Sequence, residues 1–357
     1  MRFITLITGP GTHSHLIVEK LIKGKNDFQY AQYWPDFKIF IYVKGNLIKE
    51  KKFKCYDLLS HFLWGLFHFF GISNGYKYHL DLLYSLYDFI ISINLKKTTH
   101  LIAWPQVSLL SIKKVKKRGG TVELEYPMIY VDEHVRIMKE EYKKWGIPIR
   151  KTNNLFSSFM IQRIKKEIEN SNVINVLSTY AKKTFISHGV PEEKLISKMP
   201  DLKSEKIPFS QKKHTNIYTI LYVGRLDIMK GVQYLLLAFD SIKLKKVELW
   251  LVGNKSLEIE TIISRYKSRK IKLLGYLNKY ELQNVYRKAS IFVLPSVQES
   301  FGMVLLEAQS LKIPIIASQN SGAPDLKEKG FDIKLYDPWD VKTLTDLLIE
   351  GYENIFN

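Results

Sequence analysis

The stretch Ser290–Ser318, SIFVLPSVQESFGMVLLEAQSLKIPIIAS, contains a complete strand–loop–helix–strand unit. Its first apolar run ends at Leu294, the following loop carries Glu299, and a helix is predicted to open near Ser300–Gly302 and to continue to Leu311. Near-continuous apolar strands separated by helix-length segments are typical of parallel sheets that helices cover on both faces. In such sheets ligands bind at the carboxyl ends of the strands, so the loop around Glu299 is a candidate site.

The same alternation extends over the whole chain. Apolar runs in the first half predict strands at Arg2–Thr8, Lys38–Val43, Phe89–Asn94, His100–Trp104, Thr121–Glu125 and Val173–Leu177. Runs in the second half predict strands at Tyr218–Val223, Val247–Val252, Ile271–Leu274, Ser290–Leu294, Ile313–Ala317 and Ile333–Tyr336. Two such series indicate an α/β protein with two doubly wound, Rossmann-like domains that face a cleft.

The seam between the domains is predicted in the polar stretch Leu202–Asn216, which has no apolar periodicity. We therefore expect an N-terminal domain at residues 1–200 and a C-terminal domain at residues 201–357. The final helix is a segment that could pack back on the N-terminal domain. A chain of 357 residues is long enough for two hydrophobic cores.

Composition points to a globular protein of a reducing compartment. Apolar residues make up 46% of the chain, and its single cysteine, Cys55, excludes an internal disulfide bond. The opening residues MRFITLITGPG lack the basic region and cleavage site of a signal peptide and read as a strand followed by a turn. We therefore expect a cytoplasmic protein.

Positive charge is concentrated in the first half. Residues 1–200 carry 31 Lys and Arg against 17 Asp and Glu, whereas residues 201–357 carry 23 against 18. Such a surface suits an anionic partner, although Lys-rich surfaces also simply keep proteins in solution. No zinc, helix-turn-helix or RNA-recognition signature is present, which argues against a nucleic-acid-binding module.

Two loops of the second half carry the candidate chemistry. After the run Ser290–Leu294, the amides of Gly302, Met303 and Val304 are predicted at a helix N-terminus, where a phosphate or a sugar hydroxyl would bind. Glu307 is predicted about two turns into that helix, where a carboxylate could accept bonds from a ribose diol. A surface ion pair with a lysine is the alternative for Glu307.

The second loop follows the predicted strand Tyr218–Val223 and reads Gly224-Arg225-Leu226-Asp227-Ile228-Met229-Lys230-Gly231. Two fixed cations at one strand end, Arg225 and Lys230, suit a diphosphate, because an arginine grips two oxygens and a lysine acts as a point charge.

With these motifs the second half resembles the donor-binding domain of the GT-B glycosyltransferases, and specifically family 4, the retaining class called glycosyl transferases group 1. The segments that carry the resemblance are YVGRLDIMKG, LVG at Leu251–Gly253, GYL at Gly275–Leu277, VLPSVQESFGMVLLEA and PIIAS. The spacing from Glu299 to Glu307 matches the E-x7-E signature of that family. The first half is similar more faintly, through TGPGTHSH, EEYKKWGI and STYAKKTFISHGVPEEKL.

The resemblance implies a role for each matching residue. Arg225 and Lys230 would hold the donor diphosphate, Glu299 the donor sugar and Glu307 the ribose. The backbone around Gly275 and Tyr276 would hold the base. The remaining donor-binding positions are Gly224, Ser300, Phe301, Gly302, Met303 and Val304. The family's front-face mechanism needs neither a protein nucleophile nor a metal or other cofactor if the two cations neutralise the diphosphate.

The first half offers candidates for the cleft and the acceptor. Gly9, Gly11 and His13 follow the first predicted strand and form an incomplete dinucleotide fingerprint, which we interpret as a loop that faces the cleft. Tyr130 occupies the position at which many relatives carry a histidine over the reacting sugar. His134 lies four positions out of register.

Tyr56–Ile72 is the most apolar stretch of the chain, but it is too short and too interrupted to span a bilayer. With the basic segments Lys49–Lys54 and Lys113–Arg118 it could lie in a membrane interface, and a helix packed on the sheet is an equal alternative.

The sequence thus predicts a retaining glycosyltransferase. It would move a hexose-type sugar from a nucleotide-diphosphate donor to a glycan or lipid-linked acceptor in the synthesis of a cell-surface polysaccharide or glycolipid. We also expect the protein to make a peripheral contact with the inner face of the membrane. The alternatives are a GT-B nucleotide-sugar epimerase, a donor-binding homologue without catalysis and, as a weaker one, a nucleic-acid-binding protein.

Overall fold

The computed structural model describes the backbone of residues 4–6, 38–43, 46–52, 75–95, 98–148, 155–200, 216–266 and 268–356. Contacts divide the chain into two units. The first comprises Met1–Pro127, Leu155–Val176 and Val190–Ile196, and the second comprises Met128–Asn154, Leu177–Gly189 and Ser197–Asn357.

The first unit contains a five-stranded sheet in the order β1-β4-β5-β6-β7. The pairs β1–β4, β4–β5 and β5–β6 are parallel. Its strands are β1 (Ile4–Leu6), β4 (His100–Ala103), β5 (Thr121–Glu125), β6 (Val173–Val176) and β7 (Leu195–Ser197). Its helices are α1 (Gly75–Asn94), α2 (Leu109–Lys117) and α4 (Ser158–Asn170), and a 3-10 turn spans Glu192–Lys194.

A separate two-stranded sheet corrects one prediction. Lys38–Val43 (β2) was expected as a parallel strand of the main sheet, but it pairs antiparallel with Asn46–Lys52 (β3), which the sequence analysis missed. A two-residue connection at Lys44 and Gly45 can join only antiparallel neighbours, whereas parallel strands need a crossover of a dozen residues or more.

The second unit contains a six-stranded sheet in the order β10-β9-β8-β11-β12-β13, and every neighbouring pair is parallel. All six residues of β8 are buried, because helices cover both faces of such a sheet. The strands are β8 (Tyr218–Val223), β9 (Val247–Val252), β10 (Ile271–Gly275), β11 (Ile291–Leu294), β12 (Ile315–Ser318) and β13 (Ile333–Tyr336).

Helix α8 (Lys279–Lys288) begins where polar side chains satisfy its first free amides. At α8, the Asn278 side chain accepts bonds from the backbone N–H groups of Tyr280 and Glu281, and the Glu281 carboxylate accepts the Asn278 N–H, which completes a capping box. The helices of this unit are α3 (Val131–Lys144), α5 (Thr179–Ile186), α6 (Val232–Ser241), α7 (Leu257–Ile263), α8 (Lys279–Lys288), α9 (Val304–Ser310), α10 (Ala323–Glu328) and α11 (Val341–Phe356).

Helix α1 corrects another prediction. Phe89–Asn94 was predicted as a strand, but it forms the last turns of this 20-residue helix. Four of these six residues are apolar, and so short a run carries no clear period, so a strand and a buried helix cannot be distinguished there by pattern. Among the described residues, no helix is both long and apolar enough to cross a membrane. Tyr56–Ile72, which was predicted either to lie in a membrane interface or to pack on the sheet, lies outside the described residues.

The predicted fold class is confirmed: the chain is α/β, with two largely parallel, helix-covered sheets. The domain boundary at residues 200 and 201 stays a prediction, because the contact-based second unit also includes α3 and α5. The final helix, α11, packs against α6, and its Tyr352 meets Tyr218 of β8 edge-on with ring centroids 5.6 Å apart.

Candidate functional site

The order of strands in the second unit places a ligand site. Numbered within this unit, the order is 3-2-1-4-5-6, and the direction of winding reverses between its first and fourth strands, β8 and β11. Loops that leave neighbouring strands in opposite directions open a crevice at that point, where open parallel sheets bind their ligands. The two loops concerned are Gly224–Gly231 and Pro295–Met303, which carry Arg225, Lys230 and Glu299.

These two loops are locked to each other. The backbone N–H of Val297 donates to the carbonyl of Met229 at 3.0 Å. Gly231 has a φ of +70°, and a Cβ there would lie 1.8 Å from the carbonyl oxygen of Pro295. Only glycine permits both the backbone conformation and this close approach. The predicted cations and Glu299 are thus held on one rigid frame.

Arg225 is oriented by a carboxylate that the sequence analysis did not single out. Asp227 is fully buried and pairs through one oxygen with Nε of Arg225, while its other oxygen accepts the backbone N–H of Lys230 at 2.8 Å. Burial acts against the charge of Arg225, but Asp227 outweighs it and the pKa of the guanidinium lies above its ordinary value. The Arg225 side chain is 52% exposed, so an anionic ligand can reach its guanidinium.

Lys230 and Glu299 form an ion pair. Both side chains are largely shielded from water, so the charges interact strongly. The structure therefore brings together a residue predicted for the diphosphate and a residue predicted for the sugar.

Glu258, in the first turn of α7, adds a second buried carboxylate beside Arg225. Burial first, and then the charge of Asp227, raise the pKa of Glu258 to about 7, whereas Arg225 lowers it. The N–H of Leu226 donates to the carbonyl of Asn254 at 2.9 Å, and the N–H of Ser256 donates back to Leu226 at 2.9 Å. These contacts fix the start of α7 against the arginine loop.

The helix after Glu299 starts later than predicted. It spans Val304–Ser310 because Gly302, with a φ of +93°, keeps the chain out of helical geometry up to that point. Glu307 consequently lies in the first turn, and the prediction of two turns into the helix was wrong. Its carboxylate accepts a 2.8 Å hydrogen bond from the buried Tyr286 hydroxyl.

Backbone amides remain available in this loop. Within the described part of the chain, no hydrogen bond is donated by the N–H groups of Gly302 or Met303. They are neighbours of Glu299, whose own N–H donates to the carbonyl of Asn320 at 2.8 Å. Phe301 is buried and contributes no polar group.

The position predicted for the base lies on the same edge of the sheet. Gly275 ends β10, and its carbonyl accepts the N–H of Gly253 at 2.7 Å. A Cβ on Gly253 would in turn lie 2.0 Å from the carbonyl oxygen of Gly224. The ends of β10, β9 and β8 are therefore in direct contact. Tyr276 is 76% exposed beside them.

The cleft candidates of the first half are placed only in part. Tyr130 is buried, stacks on His188 with ring centroids 4.5 Å apart and packs edge-on against Phe185. Its N–H donates to Thr184 Oγ1 at 2.9 Å, and His134 is buried one turn further along. Gly9, Gly11 and His13 lie outside the described residues. A role for any of these residues at the reacting sugar stays a prediction.

Asp227 and Glu258 are the site residues that sequence reasoning missed. Asp227 stands inside the quoted loop, but an acid two residues after an arginine is as readily a solvated surface residue. Glu258 follows a strand end by a few residues, which is the only signal for it. Among the residues that the structure describes, no cluster of His, Cys, Asp and Glu forms a metal site.

Residues 203–354 match the family described as glycosyl transferases group 1. An uncharacterized glycosyltransferase of Methanocaldococcus jannaschii is 33% identical over 111 residues, which cover 30% of this chain and 28% of that protein. The match thus spans less than a third of this relative's length.

Solved structures align over nearly the whole chain. The apo form of the lipopolysaccharide outer core galactosyltransferase WaaB has a TM-score of 0.61 at 15% identity, covering 100% of this chain and 92% of that one. Anabaena Alr3699/HepE in complex with UDP has a TM-score of 0.61 at 13% identity, with 100% and 91% covered. At such identities these structures confirm the fold. The matched segment of the chain, residues 203–354, therefore belongs to the glycosyl transferases group 1 family, as its motifs predicted.

Proposed function

We propose that this protein is a retaining glycosyltransferase that moves a hexose-type sugar from a nucleotide-diphosphate donor to a glycan or lipid-linked acceptor. The observation that carries the proposal is the meeting of Arg225, Lys230 and Glu299 at the switch point of a parallel sheet. Two cations and a carboxylate on one rigid frame match a ligand that joins a diphosphate to a polyol. The family of residues 203–354 supports the same reaction class.

The donor's diphosphate would bind to Arg225 and Lys230. Asp227 orients the half-exposed guanidinium of Arg225 through Nε, and Lys230 exchanges Glu299 for a phosphate oxygen. The free amides of Gly302 and Met303 supply further hydrogen-bond donors to the diphosphate. These fixed positive groups stabilise the charge that develops on the leaving diphosphate, so the reaction as proposed requires no metal or other cofactor.

The donor's sugar would lie against Glu299, which accepts bonds from sugar hydroxyls once Lys230 turns to the diphosphate. Glu307, held by Tyr286, would accept the ribose hydroxyls, and the backbone at Gly275 and Tyr276 would contact the base. In the front-face reaction, the leaving phosphate takes the proton of the acceptor hydroxyl on the same face. The anomeric configuration of the sugar is then kept.

The nucleotide and the setting are proposed from similarity. Anabaena HepE binds UDP, so UDP is the first nucleotide to test. WaaB is a lipopolysaccharide galactosyltransferase, which supports synthesis of a cell-surface polysaccharide or glycolipid. We place the protein on the cytoplasmic side, with a peripheral contact to the membrane through its basic first half.

The first test is binding of UDP to Arg225→Ala and Lys230→Ala. Loss of a charge-assisted contact is worth about 1.5–3 kcal/mol, or roughly ten- to a hundredfold in affinity. The half-exposed Arg225 is expected near the lower end, because solvent screens its charge. Lys272→Ala, which removes a lysine paired with Glu248, is the matched control and should bind UDP like the parent. Unchanged affinity in both site variants would refute the assignment.

The second test is product analysis by proton NMR. With donor and acceptor present, the first product should keep the anomeric configuration of the donor, and an inverted product contradicts the proposed mechanism. With donor alone, a changed sugar would identify an epimerase. Binding of donor without any product would identify a homologue without catalysis.

A further inference from the structure

Helix α1 in the first unit presents an apolar surface to solvent. Leu82, Leu86, Phe89 and Ile93 recur at intervals of three and four residues, so they form one stripe about 16 Å long. Leu82, Phe89 and Ile93 are 47%, 51% and 59% exposed. We call these four residues the apolar stripe. Scattered exposed leucines are ordinary, but four apolar side chains in line on one helix face are not.

The other face of α1 carries its charges, which is the reverse of an ordinary surface helix. Asp88 is fully buried, pairs with Arg163 and accepts the N–H groups of Leu110 and Ser111. Asp81 is buried and accepts a hydrogen bond from the Ser157 hydroxyl. No charged residue lies between the members of the apolar stripe on its own face. Because this face is the one turned away from the sheet, packing on the sheet does not account for its apolar composition.

Cations of the neighbouring helix α2 flank the stripe. Leu110, Lys113, Lys114 and Lys117 share one face of α2, and the Lys114 ammonium reaches the carbonyl oxygens of Ser92 and Ile93 at the end of α1. Lys113 and Lys117 are exposed, and neither has an ion pair among the described residues. We call the apolar stripe together with Leu110, Lys113, Lys114 and Lys117 the α1–α2 surface.

We infer that the α1–α2 surface docks on an anionic lipid bilayer, with the apolar stripe inserted at the depth of the head groups and the lysines against lipid phosphates. The surface combines a row of apolar side chains with cations along one side, which is the composition of helices that lie in a membrane interface. Among the described residues it carries no exposed acidic side chain that would repel an anionic lipid. Lysines with long apolar stems can keep their ammonium groups in the head-group layer while the stripe is buried.

A protein partner fits the same surface less well. The stripe is a single row of apolar side chains on one helix, so it offers little basis for recognising one partner. A bilayer needs only apolar area and charge. The inference deepens the membrane contact of the proposed function, and it assigns that contact to α1 and α2 in addition to the predicted stretch Tyr56–Ile72.

The test is co-sedimentation of the full chain with vesicles of phosphatidylcholine, with and without about one third phosphatidylglycerol. Binding should require the anionic lipid and weaken as salt rises, because exposed charges are screened beyond about 8 Å at physiological ionic strength. Phe89→Ser combined with Ile93→Ser should weaken binding roughly twentyfold, as expected for two half-buried side chains. Lys113→Glu combined with Lys117→Glu should weaken it at least as much and flatten the salt dependence.

Matched controls come from the second unit. Leu257 is the most exposed leucine among the described residues, and Lys243 and Lys245 are exposed lysines, so Leu257→Ser and Lys243→Glu with Lys245→Glu repeat the same chemistry elsewhere. These variants should bind vesicles like the parent. Circular dichroism confirms that each variant is folded.

The inference is overturned if neutral and anionic vesicles sediment the parent equally, or if the stripe variants bind like the parent. It is also overturned if the stripe variants convert a dimer to a monomer in size-exclusion chromatography without a loss of vesicle binding. UDP titration of the same variants keeps the proposed function separate: intact UDP binding without vesicle binding defeats only this inference, and the opposite result defeats only the donor assignment.

Discussion

Replacing Asp227 by Asn tests whether the buried carboxylate positions the cations of the donor site. Asn keeps the shape and can still accept the Lys230 N–H, but it removes the charge that holds Nε of Arg225. A hydrogen bond to a charged group contributes about 1.5–3 kcal/mol, and the half-exposed Arg225 places the effect near the lower end. UDP affinity should therefore fall about tenfold.

The assay is calorimetric titration of UDP together with steady-state kinetics. Arg225 would contact the diphosphate in the ground state and the transition state alike, so the loss should appear mainly in KM, with kcat less affected. Asp325→Asn is the matched control. Asp325 is also a buried carboxylate of the second unit, but it accepts the N–H of Thr179 at the start of α5.

Both variants should lose thermal stability, and only Asp227→Asn should lose UDP affinity. Equal UDP affinity in the parent and in Asp227→Asn would refute the positioning role. An equal loss in both variants would show that it reflects general weakening of the unit.

The remaining predictions concern three carboxylates. Glu299→Gln should chiefly lower kcat and alter sugar preference. Glu307→Gln should weaken the binding of UDP and of the sugar donor alike, because both contain the ribose. Titration of UDP into each variant distinguishes the two glutamates, and the reverse pattern would exchange their roles. UDP affinity should fall as the pH rises above about 7. Burial and the charge of Asp227 raise the pKa of Glu258 to about 7. A bound diphosphate that neutralises Arg225 raises this pKa further, so UDP binding is coupled to the uptake of a proton. Titrations between pH 6 and 8 should show this slope in the parent and not in Glu258→Gln; a slope that persists in the variant assigns the proton to another group.

The strands of the second sheet were predictable from sequence because their environment is uniform. Three predicted strands, Tyr218–Val223, Val247–Val252 and Ile333–Tyr336, match the structure at both ends. Helices cover the faces of such a sheet, so apolar residues occupy most positions of each strand and the ends of the strand coincide with the ends of the apolar run. The short edge strand Leu195–Ser197 has no such run and was missed.

The first unit was harder to predict because α1 does not follow the usual helical pattern. Its buried face contains Asp81 and Asp88, and its exposed face contains the apolar residues Phe89 and Ile93, so the face that packs inside cannot be recognised by its hydrophobicity. The charge of Asp88 is tolerated inside because Arg163 pairs with it. Pairing between segments 75 residues apart cannot be seen in a local pattern.

The candidate site divides in the same way. Arg225, Lys230, Glu299 and Gly302 could be found because strand ends and glycines mark them in the sequence. Asp227 and Glu258 could not, because their importance depends on burial. The position of Glu307 was wrong by a turn, since the left-handed φ of Gly302 delays the helix and no residue pattern marks that φ in the sequence.

The ion pair between Lys230 and Glu299 has a consequence for the release of product. Without ligand the two side chains satisfy each other in a shielded place. A complete donor would compensate both when it separates them, with phosphate for the lysine and sugar hydroxyls for the carboxylate. The nucleotide that remains after transfer would compensate only the lysine. It would leave Glu299 shielded from water and without a hydrogen-bond donor, which is unfavourable. Re-formation of the ion pair would then favour release of the nucleotide after each transfer. The same Lys230–Glu299 contact that occupies the empty site would thus restore it.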